Sequence, residues 1–385
     1  MLRIGPSCLK GIFQALNFIV PKRANQVCIH SFPDYDDMTR GLLDGLSKSA
    51  VAFQIVILTH TLVKTPKWIK ENRAHVRQYR KLSARGIWAY LRSKYVFFTH
   101  GCFASIRPVQ KQITVNVWHG MPIKKIGCYL EKNQRMPFST YTISTSPFFS
   151  KVLSTAFATP EERILEVGLP RNDILLKAQN RDLKKKICGD QKLAIWLPTY
   201  RKVALGEKRL DGRQAENIFN LPDLDIDALD GAFKDLGLIV LVKPHPMAAR
   251  LEADFNPESL SNIRMIDEEW LGQSETTLYE LLSMSDMLIT DISSVLVDYL
   301  LLDRPILCHF PDMAAYKKSR GLIWDFDPTE HGIPLVVRQK ELVEAVKKYL
   351  DRIGEKNLYP SLLKLLHADH KNSCCELIRA LDMEN

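Results

Sequence analysis

The stretch MLITDISSVLVDYLLLDRPILCH, residues 287–309, decides the fold class. It contains a short apolar run at 287–290, a polar loop, a helix-length amphipathic segment at 294–302 and a second apolar run at 305–309. Short apolar runs bounded by turn residues are typical of strands buried in a parallel sheet, in which a helix connects one strand to the next. The stretch therefore predicts a strand–helix–strand unit of an α/β protein.

The same alternation runs through the whole chain. The predicted strands are residues 26–31, 53–59, 95–99, 113–117, 141–144, 164–167, 193–197, 238–242, 263–266, 287–290 and 305–309. The charged segment 177–190 separates two halves and is expected to be a linker or an interdomain helix. We expect an N-terminal domain (1–180), a C-terminal domain (181–350) and C-terminal helices (351–385). Ligands of such sheets bind beyond the carboxyl ends of the strands, which predicts a site in the cleft between the domains.

Length and composition narrow the class of protein. The chain has 385 residues, of which 46% are hydrophobic and 25% charged. These values are close to globular averages and exclude a disordered chain, a collagen-like fibre and a disulfide scaffold. The eight cysteines show neither a CxxC pair nor a zinc-ligand spacing, which predicts reduced thiols in a cytoplasmic protein. No apolar stretch approaches the roughly 18–20 residues that span a bilayer.

The excess of positive charge lies in one block. The net charge is +9, and residues 64–94 hold ten basic residues and one acidic residue, with basic and acidic residues balanced elsewhere. Four aromatic residues are interleaved with these cations: Trp68, Tyr79, Trp88 and Tyr90. We predict a helix here that lies on anionic lipid. A solvated helical face and single-stranded nucleic acid remain alternatives. Residues 9–20 predict an amphipathic helix that packs on its own domain or lies on a membrane.

In the first half of the chain, two motifs follow predicted strands. In VWHGMPIKKIG, His119 could transfer a proton because its unperturbed pKa lies near 6.5, and Gly120 allows a ligand to approach the backbone closely. In GLPRND, Arg171 could bind a phosphate, and the next two residues can cap a helix. The candidate residues for phosphate or acceptor binding in these motifs are Gly120, Lys124, Lys125, Arg171 and Asp173. Alternatively, the motifs are a core histidine, solvated lysines and a plain turn.

In the second half, four further motifs follow predicted strands: WLPTYRK, LVKPHP, LITDISSVLVD and YKKSRG. The candidate ligand-binding residues in them are Thr199, Arg201, Lys243, His245, Thr290, Ser293, Ser294, Asp298 and Arg320. Serine hydroxyls and free amides at the start of a helix bind anions, so LITDISS predicts a phosphate site. Asp298 either orients a ligand hydroxyl or pairs within its own helix. Around Arg320, a solvated charge run is the alternative.

Several known motifs do not occur in the sequence. GxGxxG, GxxxxGK[ST], HExxH and GxSxG are all lacking, which argues against dinucleotide-binding enzymes, P-loop NTPases, zincins and α/β-hydrolases. The spacing of histidine, cysteine and acidic residues predicts no metal site.

Taken in order, these segments resemble the CDP-glycerol glycerophosphotransferase family, which includes teichoic acid primases and polymerases. The similarity covers about residues 95–330 and includes VWHGMPIKKIG, STSPFFSKVLSTAF, VGLPRND, LPTYR, VKPHP and ITDISSVLVDYLLLDRPIL. It implies a GT-B-like fold of two Rossmann-like domains, with the acceptor bound by the first and the nucleotide donor by the second. It also implies transfer of glycerol phosphate from CDP-glycerol to a hydroxyl, with release of CMP. Teichoic-acid-like or capsule synthesis, on the cytoplasmic face of the cell membrane, follows as an expectation.

The resemblance also implies roles for individual residues. His119 matches a general base, and His245 matches a histidine that steadies the diphosphate or protonates the leaving phosphate. The donor-binding residues carried over are Thr199, Arg201, Lys243, Thr290, Ser293, Ser294 and Asp298. No cofactor besides the donor substrate is expected.

Two departures from the family pattern bear on the acceptor: Met121 stands where members often carry Thr, and Tyr200 where they carry Trp. The alternatives are the same fold with CDP-ribitol or a nucleotide sugar as donor, making capsule or lipopolysaccharide. A non-catalytic protein that binds membranes or nucleic acid is a third alternative, but the two strand-end histidines argue against it. A lipid-linked or saccharide acceptor and an anionic membrane are the expected partners, and nucleic acid is not.

Overall fold

The computed structural model describes residues 6–61, 65–72, 75–177, 180–198, 217–244, 257–369 and 372–384. The chain divides into two compact units. The first contains Met1–Met121, Gly127–Ile174 and Leu366–Asn385, and the second contains Pro122–Ile126 and Leu175–Leu365.

The first unit is built on a parallel sheet. Within the described residues its strands are β1 (Arg23–His30), β2 (Gln54–Thr59), β3 (His75–Arg80), β4 (Ser93–Phe98), β5 (Ile113–Asn116), β6 (Tyr141–Ser144) and β7 (Ile164–Glu166). Their order across the sheet is β3-β2-β1-β4-β5-β6-β7, and neighbours run parallel. The helices up to the boundary are α1 (Pro6–Ile19), α2 (Asp37–Leu46), α3 (Lys67–Lys70), α4 (Ala84–Arg92), α5 (Pro147–Phe157) and α6 (Pro170–Leu175).

The second unit has the same architecture. Its described strands are β8 (Lys192–Leu197), β9 (Leu238–Val242), β10 (Ile263–Met265), β11 (Met287–Thr290), β12 (Ile306–His309) and β13 (Leu335–Val336). They form a parallel sheet in the order β10-β9-β8-β11-β12-β13. The remaining helices are α7 (Arg181–Cys188), α8 (Ile226–Asp235), α9 (Glu268–Gln273), α10 (Leu278–Met284), α11 (Ser294–Tyr299), α12 (Met313–Ser319), α13 (Gln339–Leu350), α14 (Pro360–Leu366) and α15 (Ser373–Ala380).

Short 3₁₀ turns complete the described structure: Gly127–Tyr129, Glu161–Arg163, Pro257–Ser259, Leu300–Leu302 and Pro328–His331. Two parallel α/β sheets confirm the predicted fold class. The agreement follows from burial, because central strands of a parallel sheet are covered on both faces and therefore read as continuous apolar runs. In β9, for example, every residue is buried. Among the described residues, no helix combines the length and the apolar character needed to cross a bilayer.

The expected boundaries differ from the observed ones in two places. Segment 177–190 is largely α7, which belongs to the second unit; Lys184 in this helix pairs with Asp286 at 2.8 Å. The last helix, α15, belongs to the first unit instead of standing apart. The reason is a close contact, since a Cβ atom at Gly45 of α2 would lie 2.2 Å from the Sγ atom of Cys374. Only glycine lets the two helices approach this closely.

The basic block 64–94 was predicted to be a helix, but its described residues form α3, then β3, then α4. Strand β3 pairs in parallel with β2 along its whole length and forms one edge of the sheet. Its sequence, HVRQYR, lacks the apolar run of a central strand because an edge strand is covered less completely. Charged side chains on an edge strand also discourage pairing with another chain. Arg77 and Arg80 of β3 therefore belong to a sheet edge, and the prediction of a helix was wrong for this strand.

Candidate active site

The turn after β5 is strained. Trp118 has a φ angle of +50° and Gly120 one of +125°. Glycine adopts such angles readily, but a residue with a side chain at positive φ costs about 1–3 kcal/mol unless its surroundings fix it. Here the Trp118 amide donates to Oδ1 of Asn116 at 3.1 Å, which ties the turn to the end of the strand. Strain of this kind is common at functional sites.

His119 lies at the centre of this turn, among other rings. Its ring centroid is 3.8 Å from that of Trp118 and 4.1 Å from that of His100, with the two imidazole planes only 2° apart. Its buried Nδ1 atom has no hydrogen-bond partner among the described residues. Burial lowers the pKa of His119 well below its ordinary value, and His100 and Arg171 lower it further. The ring is therefore neutral near pH 7 and can accept a proton.

Arg171 and Asp173, two candidates for ligand contact, form hydrogen bonds with backbone groups of the protein. The Arg171 guanidinium is buried and donates to the carbonyl oxygen of His119 at 2.9 Å. The Asp173 carboxylate accepts the amides of Ser373 and Cys374 at 2.8 and 3.0 Å and so caps α15. The capping expected of GLPRND is present, but it acts on a helix two hundred residues later in the chain. Arg171 positions the backbone of the histidine turn.

Three further histidines follow strands of the same sheet, and the sequence analysis missed them. His30 ends β1, His60 follows β2 and His100 follows β4, so with His119 four neighbouring strands lead into a histidine. A signal was available, because VCIH, VILTH, FFTH and VWH all place a histidine directly after an apolar run. No group of three or more metal-binding side chains with suitable geometry occurs among the described residues.

His30 is the most buried member of this row. Its Nδ1 atom donates to the carbonyl oxygen of Leu58 at 2.8 Å, and its Nε2 atom lies 3.0 Å from Nζ of Lys81. Burial and, to a smaller extent, the charge of Lys81 lower the pKa of His30 to about 4. The ring is thus held neutral as an acceptor for the Lys81 ammonium.

In the second unit, the predicted phosphate motif is mostly engaged with the protein itself. Thr290 ends β11 and donates to the carbonyl oxygen of Leu197 at 3.3 Å. Ser293 precedes α11, and its side chain does not cap that helix. Asp298 is fully buried and accepts a hydrogen bond from the Tyr279 hydroxyl at 2.5 Å. This partner lies on α10 and not within the helix of Asp298, as the alternative had it; a contact with a ligand hydroxyl stays a prediction.

The predicted cations of the second unit also have protein partners. Nζ of Lys243 lies 2.8 Å from Oε1 of Glu268, a carboxylate that is 66% exposed. Nζ of Lys124 lies 4.0 Å from Oδ2 of the buried Asp291.

Lys124 and Lys125 belong to the short segment that the first unit's turn contributes to the second. The Lys125 amide donates to the carbonyl oxygen of Gly321 at 3.2 Å, and Lys124 pairs with Leu322 as an antiparallel bridge. Nε of Arg320 donates to the Lys125 carbonyl oxygen at 3.4 Å. The two motifs VWHGMPIKKIG and YKKSRG are thus joined through their backbones. Thr199, Arg201 and His245, also predicted, lie outside the described residues.

Comparison with known proteins adds a family. The model of CDP-Glycerol:Poly(glycerophosphate) glycerophosphotransferase matches residues 12–359. The teichoic acid poly(glycerol phosphate) polymerase of Bacillus spizizenii is 26% identical over 311 residues, which are 74% of each chain. The teichoic acid glycerol-phosphate transferase of Staphylococcus aureus is 28% identical over 265 residues, and the match spans 63% of each chain.

A solved structure of the wall teichoic acid polymerase TagF has the same fold. It is 20% identical, covers 97% of this chain and 94% of its own, and superposes with a TM-score of 0.73.

Proposed function

The chain belongs to the CDP-glycerol glycerophosphotransferase family, and from this we propose that it transfers glycerol phosphate from CDP-glycerol to an acceptor hydroxyl, releasing CMP. The acceptor we propose is a lipid-linked or saccharide precursor of a teichoic-acid-like polymer. One observation carries the proposal: a neutral histidine with a buried, unpartnered nitrogen on a strained strand-end turn. Such a group is suited to remove a proton from a hydroxyl.

In the proposed reaction, the acceptor oxygen attacks the phosphorus that bears glycerol. The bond from this phosphorus to the bridging oxygen breaks, and its electron pair leaves with CMP. His119 accepts the proton of the acceptor hydroxyl. General-base assistance of this kind typically contributes about 10²–10⁴-fold to the rate. Arg171 acts as a positioning residue, because it holds the His119 carbonyl oxygen.

The donor diphosphate is proposed to bind at the carboxyl ends of the second sheet. Lys243, Ser293 and Ser294 supply a cation and hydroxyls there, and fixed donors of this type stabilise the charge that develops on phosphoryl oxygens. The Lys243 ammonium can exchange its exposed partner Glu268 for a phosphate, since exposed ion pairs are worth little. Thr199, Arg201 and His245 stay predictions at this site, with His245 as the group that protonates the leaving phosphate. We assign Asp298 a supporting role that links α11, which contains it, to Tyr279 of α10.

A donor panel tests the function. The full chain is incubated with CDP-glycerol, CDP-ribitol or nucleotide sugars, with and without lipid-linked and saccharide acceptors, and nucleotide release is measured. We expect acceptor-dependent release of CMP from CDP-glycerol. Release from CDP-ribitol or a nucleotide sugar instead would change the donor, and no release from any donor would favour a non-catalytic binding protein.

A peripheral membrane association is the second part of the proposal. One face of α1 packs on the first unit, where the Phe13 ring lies 4.9 Å from Phe103 and 5.8 Å from Tyr90. Its other side leaves large apolar side chains in solvent: Ile12 (46% exposed), Leu16 (42%), Phe18 (77%) and Ile19 (72%). On α4, which Phe13 contacts through Tyr90, Trp88 is 52% exposed near the Arg92 guanidinium. Exposed apolar residues flanked by cations are typical of helices that lie on anionic lipid.

Vesicle sedimentation tests this association. We expect the chain to bind vesicles that contain phosphatidylglycerol at low salt and to bind less as salt rises, because screening weakens charge attraction. The double variant Phe18→Asp, Ile19→Asp should reduce binding about tenfold or more, since it places charges in the apolar contact. The control Leu365→Asp alters an apolar residue of the second unit that is 41% exposed. Equal binding by wild type and the double variant would refute the role of α1.

A further inference from the structure

The exposed end of the first sheet carries three rings that the proposed reaction does not use. Phe32 follows β1, His60 follows β2 and His100 follows β4, and all three side chains are exposed. The Phe32 ring is nearly perpendicular to both imidazoles, with centroid distances of 5.4 Å to His60 and 5.6 Å to His100. These three residues form what we call the imidazole cradle.

Each imidazole of the cradle has one nitrogen engaged by the protein. Nδ1 of His60 lies 3.1 Å from Oδ1 of Asp34, and Nδ1 of His100 lies 3.1 Å from the hydroxyl oxygen of Thr99. Within the described ranges, neither Nε2 atom has a hydrogen-bond partner. Two ring nitrogens, one on each imidazole beside Phe32, are therefore left for a ligand.

Positive charge lies behind the cradle. Nζ of Lys81 contacts His30, and the His30 ring is 4.7 Å from that of His60. The acid that faces the cradle is Asp34, and its carboxylate already accepts the His60 amide at 3.0 Å. The neighbouring Asp36 accepts from Thr39 at the start of α2 instead. The Lys81 ammonium and the Asp34 carboxylate offset each other, so an anion that enters the cradle meets net positive charge when the imidazoles are protonated.

Protonation of His100 is disfavoured in the protein alone. Burial lowers the pKa of His100, and the nearby His60 lowers it further. Two imidazoles that would repel each other when charged become easier to protonate when an anion lies between them. Anion binding at the cradle is thus coupled to proton uptake.

We propose that the imidazole cradle binds the anionic group of the acceptor, a phosphate or phosphodiester, through Nε2 of His60 and Nε2 of His100. Phe32 packs against the carbon atoms next to that group. The inference rests on the proposed function only in naming the ligand as the acceptor. Because the His100 ring stacks on His119 at 4.1 Å, an anion held there keeps the acceptor beside the general base. The two rings act as specificity-determining residues.

Histidine NMR titration tests binding without any catalysis. Glycerol 3-phosphate is the probe, glycerol is the uncharged comparison, and the full chain carries labelled histidines. We expect glycerol 3-phosphate to raise the pKa of His60 and His100 and to leave the signal of His75, at the opposite end of the sheet, unchanged. No rise, or an equal response to glycerol, would overturn the proposal.

Kinetics with two acceptors test the role in specificity. His60→Asn and His100→Asn should each raise the KM for a phosphate-bearing acceptor about tenfold, since a charge-assisted hydrogen bond is lost. The kcat of His60→Asn, whose ring does not stack on His119, should stay within about twofold of wild type. The same acceptor without its phosphate should show no change, and His75→Asn should behave as wild type. An equal loss with both acceptors would mean that the rings bind hydroxyls and would overturn the inference. Absence of CMP release from wild type would refute the proposed function but leave the NMR result standing.

Discussion

The carboxyl edges of the two sheets differ in the side chains that follow their strands, which include four imidazoles at the first edge and a lysine, hydroxyls and carboxylates at the second. At the first edge, His119 has a buried nitrogen with no partner among the described residues, and the turn that carries it is strained at Trp118. At the second edge, Asp298 accepts a hydrogen bond from Tyr279, and Lys243 pairs with Glu268. The His119 nitrogen is the group that we expect a substrate to engage, because a buried group without a hydrogen bond costs free energy.

The comparison separates two uses of similar motifs. Both edges place polar residues directly after apolar strands, and the sequence alone treats them alike. Arg171 and Asp298 show that such residues also hold turns and helices in place. Ligand contact and support are therefore distinguished by hydrogen-bond partners rather than by residue type.

The largest expected effect is at the first edge, on the rate of the reaction. His119→Asn should lower kcat by about 10²–10⁴-fold, because asparagine cannot accept a proton at neutral pH. Steady-state CMP release at saturating donor and acceptor measures the loss. Since the pKa of His119 is lowered, the wild-type rate should fall with acid only below about pH 6.5, the ordinary value for histidine.

The control is His75→Asn, which changes an exposed ring at the amino end of β3. Circular dichroism and a thermal melt should show that both variants fold as wild type. A His119→Asn enzyme with normal turnover would erase the contrast between the two edges.

Acid should destabilise the first edge. The pKa of His30 is lowered to about 4, so between pH 6.5 and 4 the unfolded state binds a proton that the folded state does not. The resulting contribution is fully present above pH 6.5 and is lost as the pH falls to about 4, and it amounts to about 3 kcal/mol. Urea unfolding at pH 7 and pH 4.5 should show a smaller acid loss for His30→Gln than for wild type. His75→Gln is the control and should lose as much unfolding free energy as wild type between pH 7 and pH 4.5. The same loss in His30→Gln would contradict the contribution assigned to His30.

Most of the sheet architecture could be predicted from the sequence, because the buried central strands are apolar and short. Helix α5 begins where the sequence signals a helix start, since Ser146 caps it and Pro147 is its first residue. Strands β3 and β13 were missed: the first is a charged edge strand and the second has two residues. Pairing with a neighbour, rather than local sequence, makes these segments strands.

The candidate site was predicted only in part. The position of His119 after a strand could be predicted, because a strand end is visible as the end of an apolar run. Its contact with His100 could not, since β4 and β5 become neighbours only through the sheet order. The cap that Asp173 provides for α15 joins residues two hundred positions apart, and no local pattern encodes it.

At the second edge, we expect that loss of the hydrogen bond to Asp298 lowers the stability moderately. Tyr279→Phe removes the hydrogen bond to the buried Asp298 carboxylate and should cost about 1.5–3 kcal/mol in unfolding free energy. Tyr349→Phe is the matched control, because its hydroxyl donates to a neutral carbonyl at Gly332 and should cost about 1 kcal/mol. The KM for CDP-glycerol should change less than about threefold in both. A tenfold rise in this KM for Asp298→Asn, with stability unchanged, would instead put Asp298 in contact with the donor.

The smallest expected effect separates capping from ligand binding at Asp173. Asp173→Ala should cost about 1 kcal/mol, because the amides of Ser373 and Cys374 lose their acceptor at the start of α15. Hydrogen exchange should speed up in this helix, and Glu162→Ala, which removes an exposed carboxylate of the same unit, should leave exchange there unchanged. Because the Asp173 carboxylate is engaged by the amides at the start of α15, CMP release at saturating substrate should match wild type. If Asp173→Ala lost turnover while hydrogen exchange in α15 stayed normal, Asp173 would instead belong with the groups of the first edge that contact the substrate.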